Sequence, residues 1–256
     1  MLKRMMEPIV QVLRFTKISR IELRAKYKRT SIGSLWNLIG FVLKVSVLTV
    51  IYTGVLNKDV GEYLPFLMVG IGLWGMISGS LMYGCTAIAN NMKMIYMSSG
   101  FLFGAVYKGV FREAYLFAPL GVVTFIALAF LGKLSFSGVA GGAVGGAMLV
   151  VLLYQMALSL SFACARKPYL RHVFSSVMAI AFIASPVIWD RGDLGDMQLV
   201  ADLNPFYYML GLVREPILHG MFFWKGVVFF FGSMLCLIPL NLFFYKNTFN
   251  RLACYE

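Results

Sequence analysis

Residues able to do chemistry are few in this sequence and fall in three places. In "RAKYKRTSIGSLW" (24–36), Arg24, Lys28 and Arg29 form a dense run of cations of the kind that attracts phosphate or an anionic head group. Lys44 stands alone in the apolar run "GFVLKVSVLTV" (40–50). In "NPFYYMLGLVREPILHG" (204–220), Arg214 and Glu215 are neighbours in a segment too apolar for an ordinary surface loop, between Pro205 and Pro216.

No enzyme constellation accompanies them. Glu7, Glu22, Glu113 and Glu256 do not cluster in sequence, and His172 and His219 are expected on opposite sides of a membrane, so no shared metal site is predicted. Cys85, Cys164, Cys236 and Cys254 are widely spaced and contain no C-x-x-C pair, which reads as packing, not zinc or a disulfide framework. The acidic run "DRGDLGD" (190–196) lacks the ligand spacing of a calcium loop and reads as a solvated turn. The chain is therefore expected to be a non-enzyme that holds no cofactor of its own.

Composition identifies the solvent in which these residues must be positioned. With 60% hydrophobic and 13% charged residues and a mean hydropathy of +0.79, there are too few polar side chains to cover a globule in water. The expectation is an all-α polytopic membrane protein with six spans, over 35–56, 64–89, 113–131, 138–163, 173–189 and 222–244, each near the length needed to cross hydrocarbon. Residues 1–34 form a separate cytoplasmic segment and 35–256 the membrane domain.

The basic residues orient it. Nine of the 23 Lys and Arg lie in the first 34 residues, and Lys93, Lys108, Arg112, Arg166, Lys167 and Arg171 flank alternate connections. Those segments are predicted to be cytoplasmic, with both termini inside. Lys58, Asp59, Glu62 and Lys133 lie outside together with the acidic run. The net charge of +12 is read as this inner collar, so nucleic acid is not an expected partner and membrane lipid is. No short apolar core with a cleavage site precedes the first span, so no signal peptide is expected.

Helical spacing puts Val12, Phe15, Ser19 and Leu23 on one face and Arg14, Lys17, Arg20 and Arg24 on another, the pattern of an amphipathic helix lying at the inner interface. Its cations either hold topology alone or also meet phosphate. Gly75 and Gly79, and Gly138, Gly142 and Gly146, recur at four-residue spacing and predict close helix packing. The two prolines of 204–220 predict a pair of short helices dipping into the outer leaflet, with Arg214 anchored to a carbonyl or carboxylate of the bundle.

The stretches "LRAKYKRTSIGSLWNLIGFVL" (23–43), "ASPVIW" (184–189) and "NPFYYMLGLVREPILHG" resemble the permease subunits of type-2 ABC exporters of polysaccharides, including O-antigen, capsule and teichoic-acid exporters. The matching positions are Gly33 and Trp36 at the first span, Ser185 to Ile188 closing the fifth, and Asn204, Pro205, Arg214 and Gly220 before the sixth. Between spans two and three the chain reads "ANNMKMIYMSSGFLFG" (89–104), where relatives often have a Phe-Pro-Arg-Glu-like motif; Tyr96 remains. The resemblance implies a subunit of the bacterial cytoplasmic membrane. Two copies assemble with two ABC ATPase subunits that bind ATP and magnesium, since no Walker A motif occurs here. The implied substrate is a polyprenyl-pyrophosphate-linked glycan. Arg24, Lys28 and Arg29 would receive its head group, and Lys44, Tyr52, Phe66, Trp74 and Tyr83 would line the path. Asn91, Met92, Lys93, Ile95 and Tyr96, in a coupling segment over 90–104, would meet the ATPase. Asn204, Pro205, Arg214 and Glu215 would form an outer gate. Lys44 should face that path or a polar partner, because a charge at mid-span costs about 2.5–3.5 kcal/mol on insertion scales, with snorkelling to the inner surface the competing explanation. Two alternatives fit the same residues: an ABC permease for a drug or other lipid, and, with less support from its few intramembrane charges, a secondary transporter.

Overall fold

The computed structural model describes residues 15–23, 35–56, 58–97 and 101–252. Helix α1 covers 15–23. It is followed by α2 (Leu35–Leu56), α3 (Val60–Met97), α4 (Phe101–Phe130), α5 (Phe136–Arg166) and α6 (Leu170–Ala184). A 3-10 turn (Arg191–Met197) then leads to α7 (Gln198–Asp202), α8 (Pro205–His219) and α9 (Trp224–Leu252). Among the described residues there is no strand. The chain is an all-α polytopic membrane protein: α2, α3, α4, α5 and α9 are each long and apolar enough to cross a bilayer.

The span expected over 173–189 differs from the others. Its helix, α6, stops at Ala184 after 15 residues, about 22 Å and short of a hydrocarbon core of about 30 Å. Pro186 is the cause, because a residue before proline is pushed out of the helical region, and Ser185 is extended (φ −96, ψ 152). Ser185 still donates its N–H to the Ala181 carbonyl at 2.9 Å, and the chain then leaves the helix through buried Val187 and Ile188. Other spans run beyond their expected windows, most of all those over 64–89 and 113–131. Asn90, Asn91 and Lys93 extend α3, and the stretch from Phe101 to Arg112 opens α4. Apolar runs mark the part of a helix that must be dry and leave its polar ends unmarked.

Helix α3 is the centre of the bundle. Leu67, Ile77, Leu81 and Ala87 are fully buried, and α2, α4, α5, α6 and α8 pack around it. Small residues permit this crowding. A Cβ at Gly70 would lie 2.7 Å from the Val187 carbonyl, and one at Gly84 2.7 Å from the Ala157 carbonyl of α5.

The glycine face of α5 meets α8, in a register shifted from the expected one. Gly138, Gly141, Gly142 and Gly145 contact Pro216, Ile217 and Leu212, whereas Gly146 has nothing within 4 Å of its Cβ position. The expected pair of short helices within 204–220 is one continuous helix, and Pro216 sits inside it. Pro216 cannot donate to the Leu212 carbonyl one turn back. That carbonyl lies against Gly145, where any Cβ would collide with it. The close approach of α5 gives the freed oxygen Cα–H neighbours in place of its lost partner, so the helix need not break. Gly220, at φ +67, then ends α8 in the left-handed conformation and returns its N–H to the Pro216 carbonyl.

The connections divide between two ends. Residues 58–59, 131–135 and 185–223 lie at one, termed the α8 end; α1, the end of α3, the start of α4 and 167–169 lie at the other, the α1 end.

These packing contacts predict opposite outcomes for neighbouring glycines. Gly145→Val should lower stability by about 3 kcal/mol through overpacking against backbone, while Gly146→Ala should raise it by up to about 1 kcal/mol through helix propensity. Thermal unfolding of the detergent-solubilised protein measures both, and equal effects would remove the assigned register.

Candidate functional site

At the α8 end, the break after α6 leaves a series of backbone carbonyls that helical bonds do not satisfy, and side chains from elsewhere meet them. Trp189 Nε1 donates to the Ile183 carbonyl at 3.0 Å, and Asn204 Nδ2 to the Ala184 carbonyl at 3.0 Å and Ser185 Oγ at 3.2 Å. Arg214 Nη1 donates to the Pro186 carbonyl at 2.6 Å, and the Tyr63 hydroxyl donates to the Ile188 carbonyl. Irregular backbone is tolerated at membrane depth only where protein supplies such donors. Asn204 does a second job as the cap of α8, accepting from the Phe206 N–H at 2.9 Å, with Pro205 in the first helical turn.

Arg214 is 1% exposed. Its guanidinium carbon sits 4.2 Å from the centroid of the Phe66 ring, which stacks on Tyr63 at 6.1 Å, and Tyr63 in turn meets Tyr52 at 6.2 Å. Nε and Nη2 of Arg214 have no hydrogen-bond partner among the described residues. Glu215 points elsewhere and pairs with His219 Nδ1 at 3.1 Å, so the sequence neighbours do not pair with each other. Two ion pairs hold the acidic run: Lys58–Asp193 at 2.6 Å, and Arg191–Asp202, where the guanidinium hydrogen bond holds the carboxyl below its usual range.

Of the five residues expected along a path, the structure brings Lys44 and Trp74 into one groove between α2, α3 and α6, with a cavity of about 670 Å³ that Ser78 and Phe182 also line. Trp74 lies 5.7 Å from Phe182 and 5.1 Å from Phe206 of α8, linking the groove to the α8 end. Tyr52 and Phe66 belong to the Arg214 cluster. Tyr83 stands apart on α3, beneath the Arg112 guanidinium at 4.7 Å.

At the α1 end a buried lysine joins three helices. Lys108 of α4, 5% exposed, donates to Glu22 of α1 at 2.8 Å and to Asn91 Oδ1 of α3 at 3.0 Å. Asn91 donates from Nδ2 to the Ala87 carbonyl at 2.7 Å and the Tyr83 hydroxyl at 3.4 Å. Its own backbone leaves the helical region (φ −121, ψ 16), which kinks α3 there. Helix α1 is docked by Ser19 Oγ, donating to the Lys108 carbonyl at 3.2 Å, and by Phe15, which fills the space over Gly104 and meets Phe101 edge-on at 5.2 Å. The predicted apolar face of α1 is thus turned to α4, with Lys17 and Arg20 exposed.

The expected coupling residues lie on and after the kink. Met92 and Lys93 are exposed, Ile95 is 4% exposed and belongs to the core, and the side chain of Tyr96 lies outside the described residues. Arg24, Lys28 and Arg29 also lie outside them. In the sequence Lys108 stands only among the topology signals and Glu22 only among the unclustered acids. A lysine inside the apolar run "FLFGAVYKGV" (101–110), which must pair if buried, is the signal that identifies it.

The Arg214 geometry makes a stability prediction. Arg214→Met removes one hydrogen bond together with two unsatisfied buried donors and keeps most of the volume, so stability should be unchanged or rise by about 1 kcal/mol. Arg214→Ala empties the space over Phe66 and should cost about 3 kcal/mol. Chemical or thermal unfolding in detergent compares the two, and an equal loss for both would show that the hydrogen bond, not the volume, dominates.

No family model matches the chain. It is 24% identical over 205 residues to the O-antigen export system permease protein RfbA of Myxococcus xanthus, a match covering 74% of each chain. The motifs over 184–189 and 204–220 lock together through Asn204 and Arg214 inside an all-helical membrane bundle. With that relative, they make the chain similar in sequence and in helical membrane architecture to an O-antigen export permease.

Proposed function

We propose that this chain is the permease subunit of an ABC exporter and moves a lipid-linked polysaccharide, of the O-antigen, capsule or teichoic-acid type, across the bacterial cytoplasmic membrane. The observation that carries the reading is the α2 groove, where an ammonium, a hydroxyl and two aromatic rings share one membrane-embedded face of a chain similar to an O-antigen export permease. Sugar rings offer apolar faces to Trp74 and Phe182 and hydroxyls to Ser78. Two copies of the chain and two ATPase subunits form the working unit, in keeping with the usual twofold symmetry of assemblies. The ATPase subunits bind the ATP and magnesium.

The α1 end faces the cytoplasm, since Lys93, Lys108, Arg112, Arg166, Lys167 and Arg171 lie there. Both termini share that side, and Arg24, Lys28 and Arg29 attract the pyrophosphate of a polyprenyl carrier. The α8 end faces outward. Asn204, Pro205, Arg214 and Glu215 form its gate, and Arg214 is the latch: a helix held to an irregular segment by single side chains can be released without unfolding either.

Coupling follows from the kink at Asn91. Met92 and Lys93 beyond it contact the ATPase, and Ile95 supports them from within. Lys108 transmits their displacement to α1, because one ammonium bonds both the kink residue and Glu22.

Reconstitution tests the function. The chain should co-purify with an ABC ATPase subunit, and proteoliposomes holding both should carry lipid-linked glycan inward from the medium only with hydrolysable ATP. Transport driven by an ion gradient without an ATPase would overturn it. For coupling, Met92→Glu combined with Lys93→Glu should cut ATPase association at least about tenfold without changing thermal stability. Lys108→Met should preserve association yet uncouple hydrolysis from transport. Unchanged transport in both variants would remove the coupling assignment.

A further inference from the structure

Lys44 is the tenth residue of the 22-residue α2, so about 13 Å of helix separates it from Leu35. The ammonium of Lys44 makes no hydrogen bond or ion pair with any described residue, in contrast to Lys108. Glu113 lines a smaller cavity of about 200 Å³ that joins the larger groove at Lys44, Ile71 and Gly75. The Glu113 carboxylate, however, is occupied: Arg112 donates to it at 3.0 Å from Nε and 2.6 Å from Nη2. Lys44, Arg112 and Glu113 together leave one positive charge without a counter-charge. Gly75 keeps the place open, with nothing within 4 Å of its Cβ position. Beside it, α2 offers Leu43 and Val47 as an exposed apolar flank.

An uncompensated cation at mid-membrane, next to an open groove and an apolar flank, is complementary to an anionic amphiphile. We infer that Lys44 is the intramembrane subsite for the phosphate of the lipid carrier during transit. The ammonium replaces the water that the phosphate leaves behind at the interface, the hydrocarbon chain follows the outer flank of α2, and the first sugar lies against Trp74 and Phe182, which line the same groove. The inference rests on the exporter reading and adds to it the point at which the phosphate crosses. Arg112 has a part in this as the group that keeps Glu113 from neutralising Lys44.

The test uses the complex with its ATPase subunit in phosphatidylcholine nanodiscs, with a radiolabelled long-chain polyprenyl phosphate and the matching uncharged polyprenol as probes. The wild-type complex should bind the phosphate about tenfold more tightly than the alcohol. Lys44→Gln should abolish that preference and Lys44→Arg should keep it. Arg112→Gln, with Lys44 intact, should also abolish it by freeing Glu113, and the further change Glu113→Gln should restore it. This second pair decides the matter if Lys44→Gln does not assemble. A preference that survives both Lys44→Gln and Arg112→Gln overturns the site. Displacement of the probe by excess phosphatidylglycerol overturns the assignment to the carrier in favour of bulk anionic lipid. Cross-linking that pairs Lys44 with a carboxylate of a second copy overturns it in favour of an interface contact. ATP-dependent glycan transport with unchanged lipid preference in Lys44→Gln refutes the subsite alone, whereas preferential phosphate binding without such transport refutes the exporter reading alone.

Discussion

A proline inside a membrane helix removes a donor, and the carbonyl it strands must find another partner because hydrocarbon has none. Much of this bundle is arranged around two such events. At Pro186 the helix ends and its carbonyls are taken up by Trp189, Asn204, Arg214 and Tyr63, drawn from α3, α8 and the connections. At Pro216 the helix continues, because Gly145 lets α5 lie directly against the stranded Leu212 oxygen. The same type of residue breaks one element and leaves the other whole, and the neighbouring helix makes the difference.

Three cations within the bundle show the same logic applied to charge. Arg214 is enclosed, bonded to a carbonyl and stacked on Phe66, with two donors left over. Lys108 is enclosed and paired, joining α1, α3 and α4. Lys44 is open and unused. A buried charge that is paired serves architecture, while an exposed one such as Lys44, left unpaired beside a groove, is available to something that passes along it. The arrangement separates a latch at one end, a hinge at the other and a groove between them. Trp74 joins the groove to the latch through Phe206, and Tyr83 lies next to the hinge.

Hydropathy alone determined the solvent, the helical class and five of the spans of this protein, because hydrocarbon imposes length and apolarity on each segment independently of its neighbours. Local chemistry also sets the cap at Asn204, the stop at Gly220 and the break at Pro186, since each depends on dihedrals within a few residues, although hydropathy had carried the expected span over 173–189 past Pro186. Tertiary structure decided the rest. Whether Pro216 breaks its helix depends on a glycine 71 positions earlier in the chain. Gly145 rather than Gly146 meets α8 because the helix rotates on its partner to bring carbonyl and bare Cα together. Ile95 faces the core and Met92 faces out, which a short apolar pattern past a kink does not distinguish. Lys108 and Lys44 look alike in sequence, each a lysine in an apolar run. Only the fold brings Glu22 and Asn91 to the first and gives the acid near the second to Arg112, because pairing of charges distant in sequence is settled by which helices become neighbours.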